Sequence, residues 1–174
     1  VLAHEVEAPG RPAWKAIVTA FGEDVLLPDR TLDRAKLGAV VFSDPAKLRL
    51  LNECVHPHVF AEWERRIAAI RKSDPRAIVV SDIPLLVEVG MEDRVDVIVL
   101  VHVTPAEQIK RLERRNGVPR GGAAARIAAQ APIDEKIAAA DYVIDNLGTL
   151  EQTERQVADL WQRLVAREKE TASV

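Results

Sequence analysis

Apolar positions follow two different rhythms along this chain. From the first residues to about Lys72 they recur at helical spacing; from Ala77 onward, short β-branched runs alternate with amphipathic stretches. In the first regime Val1, Leu2 and Val6 share one helix face. Pro12 suits the first position of a second helix, with Trp14, Ile17, Val18 and Phe21 behind it and Gly22 to end it. Asp33 predicts the cap of a helix carrying Leu37, Val40 and Val41. Ser43 predicts the cap of another over Pro45–Cys54, with Leu48, Leu51 and Val55 at helical spacing. His56-Pro57 punctuates, a charged helix runs from Val59 to Arg71, and Ser73-Asp74-Pro75-Arg76 reads as a turn.

In the second regime a strand is predicted over Ala77–Ser81, ending on Asp82 and broken by Pro84. A second strand runs from Val95 to Val103 and a third from Asp141 to Asp145. Helices are expected over Pro105–Arg115, Ala123–Gln130 and Pro132–Ala139. A last amphipathic helix bears Leu150, Val157, Leu160, Trp161 and Leu164. Strands spaced by helices imply right-handed crossovers and a parallel sheet, so the fold class is α/β with three layers. Three strands make a thin sheet for this class. We therefore expect one domain: a helical lobe over residues 1–75, a core over 76–110 and 140–174, and a small helical lid over 111–139.

Composition narrows the class without choosing within it. A chain of 174 residues can bury a substantial core. The net charge of -3 provides no general basic field for nucleic acid. The single Cys54 rules out an internal disulfide, suits a reducing compartment and is expected to be a small buried residue. No apolar run reaches membrane-spanning length and no signal peptide is visible. The expectation is a cytoplasmic enzyme.

Candidate chemistry gathers at the C-terminal ends of the strands, where ligands bind in open α/β sheets. Asp82 follows the first strand; an acid there can hold the water shell of a Mg²⁺ ion, or simply cap a turn. Arg111 and Arg115 lie four apart on one helix face, with Lys110 and Arg114 beside them. Cations in a last helical turn also suit the helix dipole. Arg120, Arg126, Gln130 and Lys136 follow on short, loosely tethered helices. Together these residues read as a lid that covers phosphate and excludes water. Asp145-Asn146-Leu147-Gly148 forms a turn beside them, able to meet a base. His56-Pro57-His58 lacks the partners of a metal site, and His102 reads as a packed strand residue.

The order and spacing of these motifs resemble the dephospho-coenzyme A kinase family over nearly the whole chain. The stretches that carry the resemblance begin with Ala8-Pro9-Gly10, Leu32-Asp33-Arg34 and His56-Pro57. The most specific is Asp82-Ile83-Pro84-Leu85-Leu86-Val87-Glu88. Gln108 to Arg111, Arg115, Ala125 to Gln130, Lys136, and Ala140 to Asn146 with Gly148 complete it. The resemblance implies a P-loop kinase of the nucleoside-monophosphate-kinase type. Such an enzyme transfers the γ-phosphoryl of ATP, with Mg²⁺, to the ribose 3′-hydroxyl of dephospho-CoA, the last step of coenzyme A synthesis. It implies Arg115 and Lys136 as catalytic lid residues, and Arg111, Arg115 and Asn146 as ATP contacts. Arg34, His56, Pro84, Leu85, Leu86 and Glu88 would border the acceptor, and Asp82 would hold the metal through water.

One departure is large. The family's glycine loop, G-x-x-x-x-G-K-[ST], and its Asp-x-Asp pair do not occur in these residues. Val1 corresponds to the position just after that pair, so a segment of about thirty residues is expected upstream of it. The 174 residues alone are expected to have little kinase activity and to leave apolar sheet surface open. Gly121 and Gly122 also loosen the lid by roughly 1 kcal/mol each relative to alanine. Two other readings stand: a kinase of the same fold for another small nucleotide, and a non-catalytic protein that binds CoA or a partner.

Overall fold

A computed structural model describes residues 2–116 and 119–171 and divides the chain into two compact units, Val1–Ala77 and Ile78–Val174. The first unit is mainly helical, as its spacing predicts, with one isolated antiparallel bridge between Leu26 and Leu32. Helix α1 (Leu2–Val6) is followed by α2 (Pro12–Phe21), α3 (Arg34–Phe42) and α4 (Pro45–Ser73). Pro12 does open α2, and Gly22 ends it with φ of 83°, in the left-handed region that glycine enters without a Cβ penalty. Asp33 caps α3 by accepting from the Lys36 N–H at 3.0 Å.

The core of this unit is Ile17, Val25, Leu32, Leu37, Val41 and Val55, with Trp14, Phe21, Leu48, Leu51 and Val59 packed against it. Ile17 is completely buried. Cys54 is free and only half-buried at the edge of this cluster, not fully enclosed as expected. Two expectations need correction. Ser43 does not cap α4: its hydroxyl donates to the Val40 carbonyl, and Asp44 accepts from Ala46 and Lys47 N–H groups instead. Nor does His56-Pro57 end a helix, because α4 runs through Pro57 for 29 residues. Proline removes one intrahelical bond, but Leu48, Leu51, Val55 and Val59 hold both sides of it on the same core.

The second unit carries β1 (Val99–His102), α5 (Pro105–Asn116), α6 (Arg120–Ala128), α7 (Ile133–Ala139), β2 (Tyr142–Asp145) and α8 (Leu150–Thr171). The two strands pair in parallel, Val99 with Tyr142 through His102 with Asp145. Asp141 sets the register, its backbone N–H donating to the Ile98 carbonyl while its carboxylate accepts from the Ile98 N–H at 2.7 Å. The first predicted strand, Ala77–Ser81, does not form among the described residues. A β-branched run reports an affinity for a sheet interior, but a strand exists only when a neighbour completes its ladder. None does so here, and Val80 lies 79 % exposed. On β1, Val101 is 57 % exposed.

After Asp82 the chain does not run extended. Residues 84–90 curl into consecutive turns. They end in a Schellman-type closure: Met91 donates to Leu86 and Gly90 to Val87, with Gly90 at φ of 64°. A capping box starts α8, the Thr149 N–H donating to Gln152 Oε1 and the Gln152 N–H to Thr149 Oγ1. No helix among the described residues is long and apolar enough to cross a membrane.

Candidate functional site

Parallel pairing puts the C-terminal ends of β1 and β2 side by side, and the residues after them form the site. From His102 the chain turns into α5, capped by Thr104, whose hydroxyl accepts from the Glu107 N–H. From Asp145 it turns through Asn146 and Gly148 into α8. The Asn146 N–H donates back to the His102 carbonyl at 2.9 Å. Arg111 bridges the two ends: its Nη2 donates to the Asn146 carbonyl at 2.8 Å and its Nε to Glu107 Oε1 at 2.9 Å. The bond from Arg111 draws the Glu107 carboxyl below its ordinary value, with burial working weakly the other way. Asn146 Oδ1 accepts from the Thr153 hydroxyl, which orients its amide. Arg111 and Asn146, singled out separately in the sequence, therefore belong to one constellation.

Helices α5 and α6 face one another across a groove of about 590 Å³. Arg111, Arg114, Arg115 and Arg126 line it, with Gln108 and Gln130. Its polar lining is rich in donors, some of them already engaged: Arg111 holds Glu107 and Asn146, Gln108 holds Val103, and Arg115 and Arg126 have partners too. Such a groove suits a polyanion, and Arg matches phosphate oxygens in pairs. Val103, Leu112 and Ile127 provide its apolar floor. Gln108 Nε2 donates to the Val103 carbonyl at 3.2 Å, anchoring α5 to the end of β1. Gly117 and Val118 lie outside the described residues, as does the side chain of Arg120.

Lys136 reaches Gln130, one of the residues lining this groove. Its ammonium lies 2.6 Å from Glu88 Oε1 and 3.0 Å from Gln130 Oε1. The side chains of Lys136 and Glu88 are 12 % and 18 % exposed, although Glu88 sits on an open turn. Glu88 Oε1 also accepts from the Ala131 N–H at 3.0 Å. Burial pushes the Glu88 carboxyl upward, but the bonds from Lys136 and from backbone N–H groups outweigh it, so its pKa falls below the ordinary value. Leu86 is half-buried in the same turn, while Pro84 and Leu85 are exposed on it.

Asp82 is exposed on the unpaired segment. Among the described residues no group of His, Cys, Asp and Glu is arranged to hold a metal ion. An exposed carboxylate outside any such group is not by itself a preformed metal site. In the first unit, Arg34 pairs with the buried Glu7 at 2.7 Å, and its own side chain is 47 % exposed. His56 lies against Phe60 with ring centroids 5.5 Å apart, and burial lowers its pKa. Sequence reading missed the roles of Glu7 and Glu107. The four-residue spacing of Glu107 and Arg111 was a usable signal; nothing in the sequence announced Glu7 as a partner for Arg34.

The family model described as dephospho-CoA kinase matches residues 1–152. The chain belongs to the dephospho-CoA kinase family. The dephospho-CoA kinase of Syntrophus aciditrophicus is 50 % identical over 168 residues, covering 97 % of this chain and 72 % of that protein. The Geobacter metallireducens enzyme is 46 % identical, covering 96 % and 83 %. A crystal structure from Thermus thermophilus superposes with a TM-score of 0.63 at 31 % identity, over 87 % of this chain and 80 % of that one. The dephospho-CoA kinase from Campylobacter jejuni gives a TM-score of 0.65 over 95 % and 82 %; at 23 % identity that likeness is one of fold. The fold is that of P-loop kinases, and the family is one of phosphotransferases. The α/β class and the kinase family expected from the motifs are thus borne out.

Proposed function

We propose that this chain carries the acceptor lobe, lid and nucleotide edge of an enzyme that phosphorylates the ribose 3′-hydroxyl of dephospho-CoA with ATP, giving coenzyme A. The observation that carries the reading is the four-arginine groove beside the Arg111–Asn146 link, in a chain of this family. Arg115 acts there on the transferring phosphate and Arg111 holds the lid helix to the adenine-facing turn at Asn146. Phosphoryl transfer is mostly positioning and charge stabilisation, so cations held in place supply catalysis directly. Mg²⁺ enters with ATP and neutralises its β- and γ-oxygens; Asp82 would touch its water shell. We assign Pro84, Leu85, Leu86 and Glu88 of the second unit to acceptor binding and, separately, Arg34 and His56 of the first. We assign the reaction to the cytoplasm, with ATP and dephospho-CoA as its substrates.

The test compares dephospho-CoA, AMP and CMP as acceptors for ATP, using protein expressed from the full open reading frame. Preference for dephospho-CoA is expected; preference for AMP or CMP overturns the acceptor assignment. The 174-residue polypeptide, assayed by itself, is expected to turn over poorly, because it contains no Gly-Lys-Ser or Gly-Lys-Thr. Substantial turnover by that polypeptide would refute this part of the reading.

A further inference from the structure

The ends of a glutamine amide are chemically opposite, and at Gln130 the neighbours decide which end faces which way. A lysine ammonium can only donate. Its contact at 3.0 Å therefore fixes the oxygen of Gln130 toward Lys136. The NH₂ end of the amide must then point elsewhere, and Gln130 lines the four-arginine groove. Lys136 is itself held from behind by Glu88, at 2.6 Å, with the Ala131 N–H on the same carboxylate oxygen. A chain of defined polarity results: carboxylate, ammonium, amide oxygen, amide N–H, groove.

We propose that Gln130 contacts the polyanion in this groove as a neutral donor, and that Lys136 and Glu88 are its positioning residues. The proposal rests on the groove being the phosphate site of the preceding reading. It assigns Lys136 a different part from direct contact. With its ammonium committed to Glu88 and Gln130 and its side chain 12 % exposed, it works through the amide. Glu88 compensates the lysine charge, so the pair orients Gln130 without adding net charge to the groove. The arginines supply the charge, and Gln130 supplies a directed bond that favours an oxygen at one fixed place.

The experiment is a double-mutant cycle read by calorimetric titration of the 174-residue chain with tripolyphosphate. Gln130→Met removes the amide at similar volume and is expected to weaken binding about tenfold, the range for a bond to a charged group. Glu88→Gln with Lys136→Met releases the amide without changing the net charge beside the groove, and is expected to weaken binding to a similar extent. Because this pair of changes and Gln130→Met remove one and the same contact, the variant combining them is expected to bind no worse than either alone. Multiplying losses would show that Lys136 meets the anion itself, and would overturn the positioning role. Arg115→Ala separates this inference from the reading beneath it. If neither Arg115→Ala nor Gln130→Met weakens binding, the phosphate groove itself is wrong. If Arg115→Ala weakens binding and Gln130→Met does not, only the role of Gln130 falls.

Discussion

Replacing Arg111 by methionine removes the link between helix α5 and the turn after β2. The guanidinium reaches in two directions, Nε to Glu107 and Nη2 to the Asn146 carbonyl. Glu107 lies one turn away on the same helix; this part-buried i,i+4 pair is still partly screened by solvent and salt, so only about 0.3–0.5 kcal/mol is expected from that limb. The other limb closes a loop of 35 residues at 2.8 Å in a part-buried position. A charged donor on a carbonyl contributes about 1.5 kcal/mol net, and methionine preserves most of the stem packing while leaving that carbonyl without its partner. The expected cost is therefore about 1.5 kcal/mol, roughly a tenfold change in the unfolding equilibrium and a fall of about 3–6 °C in Tm. Arg111→Lys keeps the charge near the groove but loses the planar fork, so its Tm should fall between those of the parent and the methionine variant. Thermal unfolding followed by circular dichroism measures both. A methionine variant that melts within about 1 °C of the parent would show that the Asn146 bond contributes nothing, and that the two strand ends are held together by other contacts.

Ile17→Ala, at a completely buried core position of the first unit, should cost about 2–5 kcal/mol in denaturant unfolding; a loss under about 1 kcal/mol would mean that the site collapses freely. Gly90→Ala should cost about 1 kcal/mol from its φ of 64° alone, since nothing lies within 4 Å of the added Cβ; an unchanged melting temperature would mean that the turn adjusts. At Gly148 a Cβ would fall 2.0 Å from Gln152 Oε1. Gly148→Ala should therefore break the α8 capping box and cost about 1 kcal/mol, with little further loss when Gln152→Ala is added. His56 has a pKa lowered by burial, so the unfolded chain takes up its proton first as the pH falls. Stability is full above the ordinary histidine value of 6.5, declines as the pH drops below it, and levels off below the folded-state pKa. Glu62, drawn down to about 2 by Arg65 and Arg66, does not titrate in that window. His56→Phe should flatten stability between pH 7 and 5, and an unchanged slope would assign it to another group.

Local chemistry determined much of this protein from its sequence. Helix ends are short-range events, so Pro12, Gly22 and Asp33 could be read from their neighbours, and the structure uses each as expected. The motif run from Asp82 to Gly148 named the family, because residue order and spacing survive without coordinates. Ser43 was the expected cap of α4, but its hydroxyl bonds back to the Val40 carbonyl at the end of α3, and Asp44 caps α4 instead. Pro57 had the signature of a break, but a core gripping both sides of it kept the helix whole. Ala77–Ser81 had every mark of a strand, and a strand is a relation with a neighbour, which composition cannot supply. The site divides along the same line. The cations were legible as a list, since charge and helical spacing are properties of the residues themselves. Which of them face the groove, that Arg111 holds Asn146, and that Lys136 turns toward Glu88 and Gln130 depend on contacts across 35, 48 and 6 residues. Those pairings form only when the parallel register and helices α5 to α7 bring the segments within hydrogen-bond range.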